Sequence, residues 1–217
     1  MSRRAGGVRL AACLVGFLLA SCEQPPQSEA EVALRVLANE EWMADADTCP
    51  ADLMPTDRRV ELIVDFKCSG GEVPGCYQRC KQNDVDACNW LAYAVQQSEA
   101  GSRAAESLFQ RACKLGEPSA CVNRAAGMLH ADSSDPDVLT CTARTFGRAC
   151  DRDDIRGCSM LGLAYGRGLG VPLDPKRAAV SLRKACYLSG DTAHEACKAA
   201  TQMRQARDAP NARKPPK

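Results

Sequence analysis

Three groups of residues in this chain have types and spacings that could do chemistry. Ser181-x-x-Lys184 sets a hydroxyl one helical turn from an amine, where a lysine could take the proton of a serine nucleophile for acyl transfer. The companion patterns of such a centre, Ser-Asp-Asn and Lys-Thr-Gly, are absent. The two histidines, His130 and His194, have no nucleophile at a readable spacing and read as solvated. Cys76-x3-Cys80 with Cys88 could supply thiolates to a metal. Gly166–Gly170 is glycine-rich but lacks the Lys-Ser/Thr that completes a phosphate loop. No residue is therefore assigned as catalytic or metal-binding, and no cofactor is expected.

The cysteines have a different organisation, a repeat. A basic residue, then Ala-Cys, then seven residues and a second cysteine occurs as Arg111-Ala112-Cys113 to Cys121 and as Arg148-Ala149-Cys150 to Cys158. It returns as Lys184-Ala185-Cys186, where Cys197 comes three residues late, and a truncated copy runs from Cys80 to Cys88. First cysteines lie 33, 37 and 36 residues apart, a period that marks a helical-repeat array. Phe109, Phe146 and Leu182 stand four residues before them, and Ala112, Ala149 and Ala185 one before, so both columns share a helix face. Four after the second cysteine stand Ala92, Ala125 and Gly162, and two further on Ala94, Gly127 and Ala164, small enough for close helix approach. Each unit reads as helix A, a turn, and helix B ending near the first cysteine. Ser181 falls in the column of Leu108 and Thr145, inside helix B, which disfavours it as an exposed nucleophile. The basic column Arg111, Arg148 and Lys184 (with Gln78 in the truncated copy) suits the negative end of helix B, with an acidic partner as the alternative.

The last unit carries Leu161-Gly162, Tyr165, Gly168, Gly170-Val171, Asp174 and Ala178. Gly-Leu-Gly-Val-Pro breaks helix A, and Asp174 with Pro175 starts helix B. This pattern resembles the Sel-1-like repeat family, relatives of the tetratricopeptide repeats, and the cysteine spacing resembles its cysteine-rich secreted bacterial branch. The resemblance covers roughly Cys76 to Gln202 and implies an all-α solenoid of antiparallel helix pairs. In the earlier units Gln96–Gly101 and Ala131–Asp135 replace the glycine turn. The resemblance also supplies an enzymatic alternative, because members of that branch are described as penicillin-binding or β-lactamase-like. A peptidoglycan-related activity belongs to the same alternative.

Residues 1–21 have the shape of a secretory signal, with Arg3, Arg4 and Arg9 before an apolar run too short to span a bilayer. Leu19-Ala20-Ser21-Cys22 resembles the lipobox of bacterial lipoproteins, which implies an acyl anchor on Cys22. Glu23 in place of aspartate implies the outer membrane, facing the periplasm or the cell surface. Without the signal, 25 basic residues face 27 acidic ones, a net charge of −2 that favours neither nucleic acid nor an anionic surface.

Of 14 cysteines, twelve remain after Cys13 and Cys22, an even number suited to an oxidising compartment. With about 5% aromatic residues the array needs staples. The expected disulfides are Cys80–Cys88, Cys113–Cys121, Cys150–Cys158 and Cys186–Cys197. Cys49, Cys68, Cys76 and Cys141 are left open, with Cys68–Cys76 and Cys49–Cys68 as alternatives.

The expected layout is signal 1–21, lipidated tether 22–30, an N-terminal extension 31–72, the array 73–208 and a disordered proline-rich tail 209–217. Within the extension, Glu31–Ala44 reads as one helix, Cys49–Asp57 as a loop, and Val60–Cys68 as a strand or a degenerate helix. The expected function is a membrane-anchored module binding an envelope protein or peptide, touching the bilayer through Cys22 and not binding nucleic acid.

Overall fold

The computed structural model describes residues 28–56, 68–98 and 101–208. The signal, Cys22, the tether to residue 27, most of the alternating stretch (60–67) and the tail 209–217 lie outside the described residues. Within them are eleven α-helices and no strand, and consecutive helices of the array pack against each other. The array starts with α4 (Val73–Lys81), a lone helix B. Three pairs follow: α5 (Val85–Val95) with α6 (Gly101–Lys114), α7 (Pro118–Ala131) with α8 (Pro136–Asp151), and α9 (Ile155–Arg167) with α10 (Pro175–Ser189). It ends in α11 (Glu195–Asp208), a helix A with no described helix B after it. The fold is an all-α solenoid of helix pairs stapled by disulfides.

The apolar columns become the core. Phe109, Phe146 and Leu182 are buried, as are Ala112, Ala149 and Ala185. Gly162 lies against α10, where an added Cβ would stand 2.6 Å from Leu182 Cγ and 3.2 Å from the Ala178 carbonyl. Gly168 and Gly170 turn the chain at φ +70° and +67°, a left-handed conformation that an L side chain resists. Asp174 then caps α10, accepting from the Lys176 and Arg177 amides at 3.0 Å.

A second turn recurs between each helix B and the next helix A. Three residues after the first cysteine stand Asn83, Gly116 and Asp153, all left-handed, with φ of 66°, 109° and 63°. The acidic residue that follows (Asp84, Glu117 or Asp154) donates its amide to the carbonyl just before the cysteine, at 3.1 Å in every copy. Its carboxylate then caps the next helix. This turn brings the cysteines of each pair to Cα separations of 4.6, 4.6 and 4.4 Å.

The extension differs from the expectation in three ways. Glu31–Ala44 is not one helix but two, α1 (Glu29–Leu37) and α2 (Glu40–Ala46), because the Asn39 carboxamide accepts the Trp42 amide at 3.1 Å and restarts the helix. The loop after Cys49 contains a four-residue helix, α3 (Pro50–Leu53), with Pro50 in its first turn. Of the two alternatives left open for the remaining cysteines, Cys68–Cys76 forms and Cys49–Cys68 does not: Cys49 pairs with Cys141, 92 residues on.

These three helices lie along the helix-B side of the array, α1 and α2 chiefly on α6 and α3 on α8. Their acids meet array cations: Asp45 with Lys114 at 2.7 Å, Asp52 with Arg144 at 2.8 Å, and Asp47 with Arg103. Beneath them, Ser107 Oγ donates to the Trp42 carbonyl at 3.0 Å and Gln110 Nε2 to the Thr48 carbonyl at 3.1 Å.

The basic column also does something other than complement its own helix. Arg111 Nε donates to the Cys80 carbonyl at 3.3 Å and Lys184 Nζ to the Cys150 carbonyl at 2.6 Å. Each caps the end of the preceding helix B. Arg148 has α3 in that place and donates to the carbonyls of Ala51 and Met54, the latter at 2.8 Å.

Candidate functional site

The helix-A side carries a groove lined by polar and aromatic side chains. α5, α7 and α9 present Tyr93, Asn123 and Arg156 in a row. Asn123 Nδ2 donates to Tyr93 Oη at 2.6 Å, and the Arg156 guanidinium donates to Asn123 Oδ1. The Tyr93 ring stands edge-on to Phe109, 5.0 Å between centroids, and beside Trp90 at 5.6 Å. Phe109 is buried, whereas Tyr93 is 41% exposed, so the row ends in an accessible aromatic.

The deeper wall is an ion pair. Arg124 of α7 bonds Glu106 of α6 at 3.0 Å and also donates to the Ala46 carbonyl at the end of α2, through Nη2 at 2.7 Å. Burial pushes the Glu106 carboxyl above its usual range, and the Arg124 guanidinium opposes that shift. Gly127 makes room for it, since a Cβ there would collide with the Glu106 carboxylate. Arg124 thereby ties the wall to both the neighbouring pair and the extension. Arg103, His130 and Asp132 stand at the rim, and the whole groove holds about 890 Å3. The Asp132 carboxylate accepts amides from Ser134 and Asp135, which lower its pKa and build the α7–α8 turn.

An aromatic face, a carboxamide and a guanidinium in one trough can hold a peptide by stacking and hydrogen bonds. None of these side chains was singled out from the sequence. They stand five residues after, two after and two before the second cysteine of their units, so no repeat column collects them.

The sequence-derived candidates fall elsewhere. Ser181 is buried inside α10, and its partner in the motif, Lys184, is engaged by the Cys150 carbonyl and by Asp153 at 2.9 Å. That geometry gives neither an exposed hydroxyl nor a free amine. His130 closes α7 at the groove rim, whereas His194 accepts the Ala196 amide through Nδ1 at 3.2 Å, before α11. Cys76, Cys80 and Cys88 are all in disulfides. Leu161, Gly162, Tyr165, Gly168, Gly170, Asp174 and Ala178 gather at the α9–α10 turn and interface, where the Tyr165 carbonyl accepts the Asp174 amide at 2.9 Å. Among the described residues no helix is long and apolar enough to cross a membrane. No model of a known protein family matches the chain, and no curated protein matches it.

Proposed function

We propose that this is an envelope lipoprotein of the Sel-1-like family, acylated at Cys22, whose helical array binds a protein or peptide segment. The observation that carries the binding reading is the Tyr93–Asn123–Arg156 row, three side chains from three successive helices A lining one groove. Helix-pair arrays offer rigid extended surfaces of this kind to peptides. The anchor reading rests on Leu19-Ala20-Ser21-Cys22, and the family reading on the Leu161–Ala178 signature.

Selecting a displayed peptide library on the oxidised protein tests the groove. Enriched peptides should lose binding to Tyr93→Ala and Arg156→Ala proteins that keep the parent melting temperature. No enrichment, or ligands indifferent to both changes, refutes the reading. For the anchor, Cys22→Ser should move the protein out of the membrane fraction. Retention there after carbonate washing refutes it.

A further inference from the structure

Among the described residues, the helix-B side of the array is covered over part of its length and bare over the rest. Counting from the first cysteine of each unit, α6 offers Arg103 at −10, Ser107 at −6, Gln110 at −3 and Lys114 at +1. Residues 42–48 occupy all four, through two ion pairs with Asp47 and Asp45 and two hydrogen bonds to carbonyls. On α8, Arg144 at −6 takes Asp52 of α3. What the array accepts on this side is thus a short helical segment, apolar at Trp42, Ala46, Ala51 and Met54 and acidic at Glu40, Glu41, Asp45, Asp47 and Asp52.

At −10, −6 and −3, α10 has Lys176, Val180 and Arg183, and all three are exposed, Val180 by 57%. They form one wall of a groove of about 860 Å3 between α10 and α11. The opposite wall holds Thr201 and Met203, in the register of Gly162 and Ala164, where α9 receives its partner helix. Arg204 adds a third cation to Lys176 and Arg183, and among the described residues no acidic one lines the groove.

We infer that the α10–α11 groove docks a helix from another protein, amphipathic and acidic beside its apolar stripe, in the manner of the chain's own α2–α3 segment on α6 and α8. The apolar floor takes the stripe, and the three cations select glutamate or aspartate flanks. This inference shares the binding-module reading of the preceding subsection but uses a different face.

The test uses the oxidised full-length protein and two labelled synthetic helices with the same leucine stripe, one flanked by glutamates and one by lysines. The glutamate helix should bind by fluorescence anisotropy, weaken with salt, and bind at least about tenfold better than the lysine helix. Combined Lys176→Glu, Arg183→Glu and Arg204→Glu changes should invert that preference, and Val180→Glu should abolish binding. All four side chains are exposed or at the rim, so the parent melting curve should persist. The comparison of the two helices on the unaltered chain decides the matter even if a variant misfolds. Equal binding of both helices, or of neither, overturns the inference. So does flotation with phosphatidylglycerol vesicles that is lost in the same variants while the glutamate helix stays unbound. If this groove fails and peptides selected at Tyr93 still bind, only this inference falls; failure of both removes the binding-module reading.

Discussion

Two adjacent units of the array are closed by different means. The α9–α10 pair is closed from within: Gly162 lets Leu182 in, Gly168 and Gly170 turn the chain, and the Asp174 carboxylate caps the returning helix. The α7–α8 pair has no glycine in its turn, where Asp132 gathers the amides instead. It is held from outside by α3, which is bound to α8 through Cys49–Cys141, Arg148 and Arg144. The unit with the full signature closes without the extension helices packed on it, its Gly170 lying instead against the Leu139 carbonyl of α8, whereas its degenerate neighbour carries α3. Sequence degeneracy in a repeat therefore marks where the rest of the chain contributes contacts.

The largest expected break in that comparison comes from the disulfides. The Cys49–Cys141 loop spans 92 residues and the Cys186–Cys197 loop 11. Chain entropy alone makes the first worth about 4.6 kcal/mol and the second about 2.8. Paired serine replacements, compared by denaturant unfolding of the oxidised proteins, should show the larger loss at Cys49 and Cys141. Hydrogen exchange should place that loss at α3 and α8. A larger loss at Cys186 and Cys197 would mean that the extension does not support the degenerate unit.

Overpacking comes next. Gly162→Leu drives a branched side chain into Leu182 and should cost about 1–3 kcal/mol, seen as a lower melting temperature. Ala131→Leu falls on an exposed position at the end of α7 and should leave the melting temperature unchanged. Equal effects would mean that the two pairs are closed alike.

Arg148→Met should remove two hydrogen bonds to the carbonyls of α3, costing about 1–2 kcal/mol. Lys184→Met removes one hydrogen bond and a surface ion pair with Asp153 and should cost less. The reverse order in thermal melts would put the main support of the α7–α8 pair elsewhere.

The smallest effect is a pH slope. Burial raises the pKa of Glu117, which caps α7, and hydrogen bonds from Ser119 oppose the shift. A carboxyl with a raised folded pKa binds its proton more tightly in the folded chain. Its contribution is therefore full below the unfolded pKa and is lost as pH rises through the folded one. Glu117→Gln should flatten the fall in melting temperature across that range, and an unchanged slope would leave the shift without a consequence for stability.

The array was legible because its signals are local. The Phe109, Phe146 and Leu182 column, the glycine turn and the eight-residue cysteine spacing all act within one unit and repeat. The left-handed turn at Asn83, Gly116 and Asp153 was equally available, since an acid follows in each copy, but three different residue types hide the column. The course of the extension could not be read. Asn39 as a helix restart and Pro50 as a helix start depend on which carbonyls and amides are exposed after α1 and α2 have docked on α6. The Tyr93–Asn123–Arg156 groove was hidden for a related reason: its members share a location only after three helices stack, and they occupy no common register.

The Cys49–Cys141 link has a consequence for how the oxidised chain is made. Six cysteines, Cys68 through Cys121, lie between its ends, and they form three closed pairs of their own. A chain oxidised from its N-terminus as it is synthesised would present Cys68 to Cys49 long before Cys141 emerges. An oxidant that joins neighbours in order of appearance would leave Cys49 on Cys68 and shift the later pairs out of phase. Reaching the native set requires thiolate attack on such a bond and exchange through a mixed disulfide. Production of this protein should therefore be limited by the supply of a disulfide isomerase rather than by oxidising power.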